Sequence, residues 1–232
     1  MTMTVRAATS RTALVATVLA VTALAAACTS GSGSSDPTTS ARPSTSVPVS
    51  AAVVAPTGPA QRTAAATALK FGESAFLPAD AFRPNGQLAM FTVTGIEPGV
   101  AGELPESVTH GGVPFYVHVT VTQLGTRQLD VPSTVGLAGS ADGRTATLTE
   151  TPPDGFGKCV AATAPKDLGR GNSYATCFVA VADPDTDLTR VVYWAQTTTD
   201  PEFDYKAAPV VWSDGSPAPV ASSSAPAPAP TS

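Results

Sequence analysis

Residues 115–122 read Phe-Tyr-Val-His-Val-Thr-Val-Thr, and this run constrains the fold more than any other part of the chain. Phe115, Val117, Val119 and Val121 point one way; Tyr116, His118, Thr120 and Thr122 point the other. Successive side chains of a strand lie on opposite faces, so a strict period of two marks a strand with one face against a core. The period recurs from Gln87 to Glu97, with Ala89, Phe91 and Val93 on one face. It recurs again from Tyr174 to Val181, with Cys177, Val179 and Val181 on one face. Leu188 to Trp194, rich in Val and aromatics, is a fourth strand. Weaker strands are expected at 69–76, 134–139, 144–149, 157–161 and 209–212. Pro84-Asn85-Gly86 and Gly111-Gly112 are turn signals, and Asp142-Gly143 predicts a hairpin between two short strands. No long stretch of the domain has apolar residues at helical spacing; Ala-rich Gln61 to Leu69 allows one helical turn at most. Many short strands without alternating helices predict an all-β fold, an antiparallel sandwich in preference to a barrel.

All 14 aromatic residues lie between Phe71 and Trp212. Large side chains bury far more area than Ala or Thr, so the core is expected within residues 67–213. That is one domain of ordinary size. It is too short for a two-lobed solute receptor or a large α/β enzyme. Residues 29–66 hold 14 Ser/Thr and 5 Pro with no aromatic. Such a segment buries too little apolar surface to offset its ordering, and is expected to be a disordered linker. As a flexible coil it would span about 35 Å. Its Ser/Thr-Pro mix also suits a glycosylated stalk. Residues 214–232, ending in an Ala-Pro repeat, read as a second disordered tail.

The formal net charge is −5, and residues 67–213 alone hold 9 Lys+Arg against 16 Asp+Glu. No basic patch or Lys/Arg run exists, so nucleic acid and anionic membrane faces are disfavoured as partners.

The N-terminus reads as an export signal. Arg6 and Arg11 precede an apolar stretch from Ala13 to Ala27, broken by Thr17 and Thr22. It is shorter than the roughly 20 residues that a transmembrane helix needs. It ends in Leu24-Ala25-Ala26-Ala27-Cys28, followed by Thr29-Ser30-Gly31-Ser32-Gly33. This resembles the lipobox of bacterial lipoproteins, in which small residues precede a Cys that is diacylated and becomes the new N-terminus. Residues 1–27 would then be a removed signal peptide, with Cys28 anchoring the chain to the outer face of the cytoplasmic membrane. The family usually has a larger aliphatic residue where Ala25 stands. Ordinary cleavage after Ala27, with a free Cys28 thiol, is the alternative. If Cys28 carries lipid, Cys159 and Cys177 remain as a pair, and an oxidising exterior allows a disulfide between them. Closing such a loop contributes about 3 kcal/mol. Two buried thiols are the alternative.

Four segments together resemble small immunoglobulin-like domains carried by many lipoproteins of high-GC Gram-positive bacteria: Lys70 to Ala75, Phe115 to Thr122, Ala141 to Arg144, and Gly171 to Val179. The resemblance implies an immunoglobulin-like β-sandwich exposed outside the membrane, and no agreed activity. The only functional residues it carries over are Cys28 and the Cys159/Cys177 pair.

Catalytic and metal chemistry find little support. His110 and His118 are the only histidines, too few for a copper/zinc dismutase. No His follows either domain Cys, as a blue-copper site would require. Asp183-Pro184-Asp185-Thr186-Asp187 begins like a calcium loop but lacks Gly at the sixth position and has Trp194 at the twelfth. Gly171-Asn172-Ser173-Tyr174-Ala175 misses the final Gly of a nucleophile elbow and precedes a strand instead of a helix. No catalytic residue, metal or cofactor is expected.

Two long loops remain, 98–112 and 195–209. Binding sites concentrate on such loops. Glu103, Glu106, Phe203 and Tyr205 are therefore the candidate contacts, although loop aromatics also fold back over sheet ends. The expected function is a non-enzymatic, membrane-anchored binding or scaffold module, meeting an envelope protein or a cell-wall component. The alternatives are the substrate-binding component of a transport system and, further off, a small extracellular hydrolase.

Overall fold

The computed structural model describes residues 46–83, 86–126, 131–195 and 200–215. The leader, Cys28, residues 29–45 and the tail from 216 onward lie outside the described residues, as do Pro84 and Asn85 of one turn signal.

The strands are β1 (Ala68–Lys70), β2 (Ser74–Pro78), β3 (Leu88–Pro98), β4 (Val113–Gln123), β5 (Leu137–Ser140), β6 (Leu148–Glu150), β7 (Ser173–Ala182), β8 (Arg190–Tyr193) and β9 (Val210–Ser213). They form a four-stranded sheet in the order β1-β9-β8-β5 and a five-stranded sheet in the order β2-β3-β4-β7-β6. The expected immunoglobulin-like β-sandwich is thus the observed architecture. Its pairings are antiparallel except that of β1 with β9. Helix is confined, among the described residues, to α1 (Glu106–Thr109) and a 3-10 turn, Pro201–Phe203.

The period of two in β4 has its expected result. Phe115, Val117, Val119 and Val121 enter the core between the sheets, beside Ala89, Phe91 and Val93 of β3. The four-stranded sheet answers with Leu137, Val191, Tyr193, Val210 and Trp212. Each large side chain of this kind contributes about 1.5–3 kcal/mol on burial. The buried Trp212 indole donates to Glu73 O at 3.0 Å, so its one polar atom is satisfied. In β7 the shared face of Cys177, Val179 and Val181 points away from this core, into a second cluster with Leu104, Tyr116 and Cys159. Phe178, Ala180 and Ala182 are the residues of β7 that face the other sheet.

Three local expectations are corrected. The strand at 69–76 is broken into β1 and β2, because the chain turns at Gly72 (φ 92°) to pass from one sheet to the other. There Phe71 N donates to Ser213 O and Gly72 N to Val93 O, both at 2.8 Å, which seals that side of the sandwich. Asp142-Gly143 is a corner instead of a hairpin turn, since β5 pairs with β8 and β6 with β7. Residues 157–161 form no strand; only Val160 O joins the sheet, accepting from Cys177 N at 3.0 Å.

The largest correction concerns residues 46–66, which the sequence assigns to the linker. They run in extended form across the five-stranded sheet and then along the edge of β2. Thr94 Oγ1 donates to Pro48 O at 2.5 Å, and Ala51 N donates to Thr120 Oγ1 at 2.8 Å. Val47 sits over Gly95, where a Cβ would lie 2.6 Å from its Cγ1. The register of β3 on β4 shifts between Val93 and Gly95, so the notch falls at a β-bulge. Further on, Thr63 N donates to Phe76 O at 2.9 Å, covering the outer edge of β2. The folded unit therefore extends at least to residue 46, some 20 residues before position 67.

Candidate functional site

The outer face of the five-stranded sheet carries Tyr116, His118, Thr120 and Thr122, and all four are buried. Two coverings account for this. The first is a pair of loops held by the disulfide Cys159–Cys177, whose Cα atoms are 5.2 Å apart. The bridge pins the 152–162 loop onto β7 and joins no two sheets. Such a bond belongs to an oxidising compartment, in keeping with export. The second covering is the 46–66 segment.

Glu103 belongs to the first covering and is not a free contact residue. Its carboxylate accepts from the Tyr116 hydroxyl at 2.8 Å and from Val100 N at 3.1 Å, and it pairs with Lys158. The Lys158 ammonium holds the Glu103 carboxyl below its usual range. Burial, with the Glu103 bond second, pushes the Tyr116 hydroxyl far up. Phe156 packs on the Tyr116 ring with centroids 5.3 Å apart. Glu106, the first residue of α1, is exposed.

Tyr205 is fully buried, which corrects its assignment as a contact residue. Its ring packs edge-on against Tyr193 at 5.2 Å, and its hydroxyl donates to Thr63 O at 2.6 Å while accepting from Arg62 Nε at 3.0 Å. The Arg62 guanidinium also lies 4.7 Å over the half-buried Phe203 ring. Both aromatics fold back over the sheet end and clamp the extended segment there.

Surface apolar groups missed by the sequence reading lie at this same end. Phe82 is 83% exposed, and Val131, Val135 and Trp194 are also exposed. Backbone bonds gather their loops: Ser133 N to Ala79 O at 3.3 Å and Trp194 N to Gly136 O at 2.8 Å. Lys206 Nζ stands 5.0 Å over the Trp194 ring. The available signal was a lone Phe between Ala81 and Arg83, outside any alternating run.

Chemical groups elsewhere are engaged or isolated. Ser173 Oγ is bonded to Thr122 Oγ1 at 2.7 Å, with no imidazole partner. Exposed His110 meets Glu150 through Nε2 at 3.2 Å. Among the described residues no three His, Cys, Asp or Glu side chains gather as a metal site. No helix among them is long and apolar enough to cross a membrane. A shallow cavity of about 240 Å³ separates Pro56–Ala60 from Gln87, Leu88 and Leu124.

No protein-family model matches this chain. No curated protein matches it either. Among solved structures it is similar to MPT63, a secreted protein from Mycobacterium tuberculosis. The alignment covers 63% of this chain and 95% of that one, at 13% identity and a TM-score of 0.42.

Proposed function

We propose that this protein is an extracytoplasmic module, anchored to the outer face of the cytoplasmic membrane through Cys28, that acts by binding or scaffolding and not by catalysis. The observation that carries the reading is the Cys159–Cys177 bridge. Cys28 is the third cysteine, outside that pair and directly behind an apolar export signal. A lone thiol there fits lipidation. The exposed end of Phe82, Val131, Val135 and Trp194 supplies the apolar surface that contact with an envelope protein or cell-wall component would use. That surface replaces Phe203 and Tyr205 as the proposed contact. The test is membrane fractionation of the full chain expressed in a host that processes lipoproteins. The wild type should stay with the membrane after a salt wash, and its mass should include a diacylglyceryl group on Cys28. Cys28→Ser should be released or remain unprocessed. A wild-type mass showing a free Cys28 thiol would overturn the anchor.

A further inference from the structure

His118 is buried on the outer face of the five-stranded sheet without a polar partner for its ring. It is 4% exposed, and its Nε2 has no hydrogen-bond partner. A buried polar atom without a partner carries its full desolvation penalty. In register it lies between Gly95 of β3 and Cys177 of β7. The extended segment is held on both sides of it, at Val47 over Gly95 and at Ala51 on Thr120. Residues 48–50 therefore pass across the His118 position.

We propose that residues 46–60 form a releasable strap and that protonation of His118 opens it. The charges around the ring are few. The strap has no ionisable side chain from Ser46 to Ala60. On β4 the same-face neighbours are Tyr116, whose hydroxyl is committed to Glu103, and Thr120. On β7 the facing residue is the disulfide-bonded Cys177, with Ala175 and Val179 on the same face to either side. On β3 the one charged group is Glu97, whose attraction is outweighed by burial, so His118 is held below its ordinary value. An imidazolium beneath a closed strap would be almost uncompensated.

The strap is seated lightly enough to yield. Its hydrogen bonds to the sheet's outer face are those of Pro48 O and Ala51 N. Val54 is 90% exposed, so an apolar side chain that could have gripped the sheet points to solvent. At Pro56–Ala60 the segment stands off the body over the shallow cavity, which suits a hinge.

The direction follows from linkage. The closed state favours neutral His118, whereas opening exposes the ring and restores a value near 6.5. Proton uptake therefore favours opening. Closure is at full strength above about pH 6.5 and weakens as pH falls toward the depressed closed-state value. If the ring stays neutral while closed, the opening constant rises about thirtyfold between pH 8 and pH 5.

The test is amide hydrogen exchange by NMR on the full chain, corrected for intrinsic rates, with the ring signals of both histidines followed. The Ala51 amide should lose about thirtyfold in protection from pH 8 to pH 5. The core amides of Val119 and Val191 should hold. In H118Q the Ala51 response to pH should vanish. A second variant, G95V, leaves residue 118 as His: the three nearest heavy atoms to a Cβ at position 95 all belong to Val47. G95V should deprotect Ala51 even at pH 8 and give His118 an ordinary midpoint. Four results would each overturn the proposal: wild-type Ala51 protection that ignores pH, the same response in H118Q, loss of Val119 and Val191 protection together with Ala51, or an Ala51 amide still protected in G95V at pH 8.

Discussion

Two loop aromatics at one end of the sandwich have opposite environments, and single substitutions should separate them. Tyr205 is fully buried between Tyr193 and the Arg62 guanidinium, while Phe82 stands in solvent. Tyr205→Ala removes a packed ring and strands Thr63 O, and is expected to destabilise the fold by about 3–5 kcal/mol in urea unfolding. Phe82→Ser should change the same measurement by less than about 0.5 kcal/mol. The two sequence neighbourhoods do not disclose this difference, because each shows an aromatic beside charges in a loop. What decides it is that Arg62 and Thr63, some 140 residues earlier, close over Tyr205. Ala66 offers a gain at the same scale. It is exposed and holds φ at 61°, a left-handed conformation that strains a residue with a Cβ. Ala66→Gly should raise stability by about 1 kcal/mol, read as a higher urea midpoint with an unchanged slope.

Among the elements, β4 is the most legible, and the reason is physical. Both of its neighbours are antiparallel strands, and one of its faces meets the opposing sheet, so nothing competes with its period of two. In β7 the same pattern is ambiguous: Cys177, Val179 and Val181 look like an inner face, yet they pack under the disulfide-pinned loop. An apolar outer face with a covering of its own cannot be told from an inner face by alternation alone. The extended segment at 46–66 is the least legible element. Its contacts come from a glycine notch, three threonine hydroxyls, backbone groups and the Arg62 guanidinium, none of which shows in a hydropathy pattern. The disulfide gives a prediction at this scale. Replacing both Cys159 and Cys177 by Ala should lower stability by about 3 kcal/mol. Proteolysis should then strike the 152–162 loop first, since Lys158 loses the anchor that holds it near Glu103. The core between the sheets should persist, because the bridge lies outside it.

The described residues form a sandwich whose two sheets are joined at corners, and one corner is set by a carboxylate. Burial alone would raise Asp142. Hydrogen bonds from the backbone of Thr145 and Arg144 and from the Thr145 and Ser140 hydroxyls win, and bring it down to about 2. A carboxyl lowered on folding adds stability above its ordinary value of 3.8 and loses it as pH falls toward about 2. Acid unfolding of the wild type should steepen in that window, and Asp142→Ala should show a lower plateau with a flatter acid limb. The strap has a consequence for the molecule in its envelope. With the proposed anchor at Cys28, the 17 residues 29–45 precede the strap, a contour of about 60 Å. Freed back to Ala60, where the proposed strap ends, 32 residues follow the anchor, with a contour of about 110 Å. The strap is stored length: peeling it would nearly double the chain available between the proposed anchor and the domain, without cutting the chain.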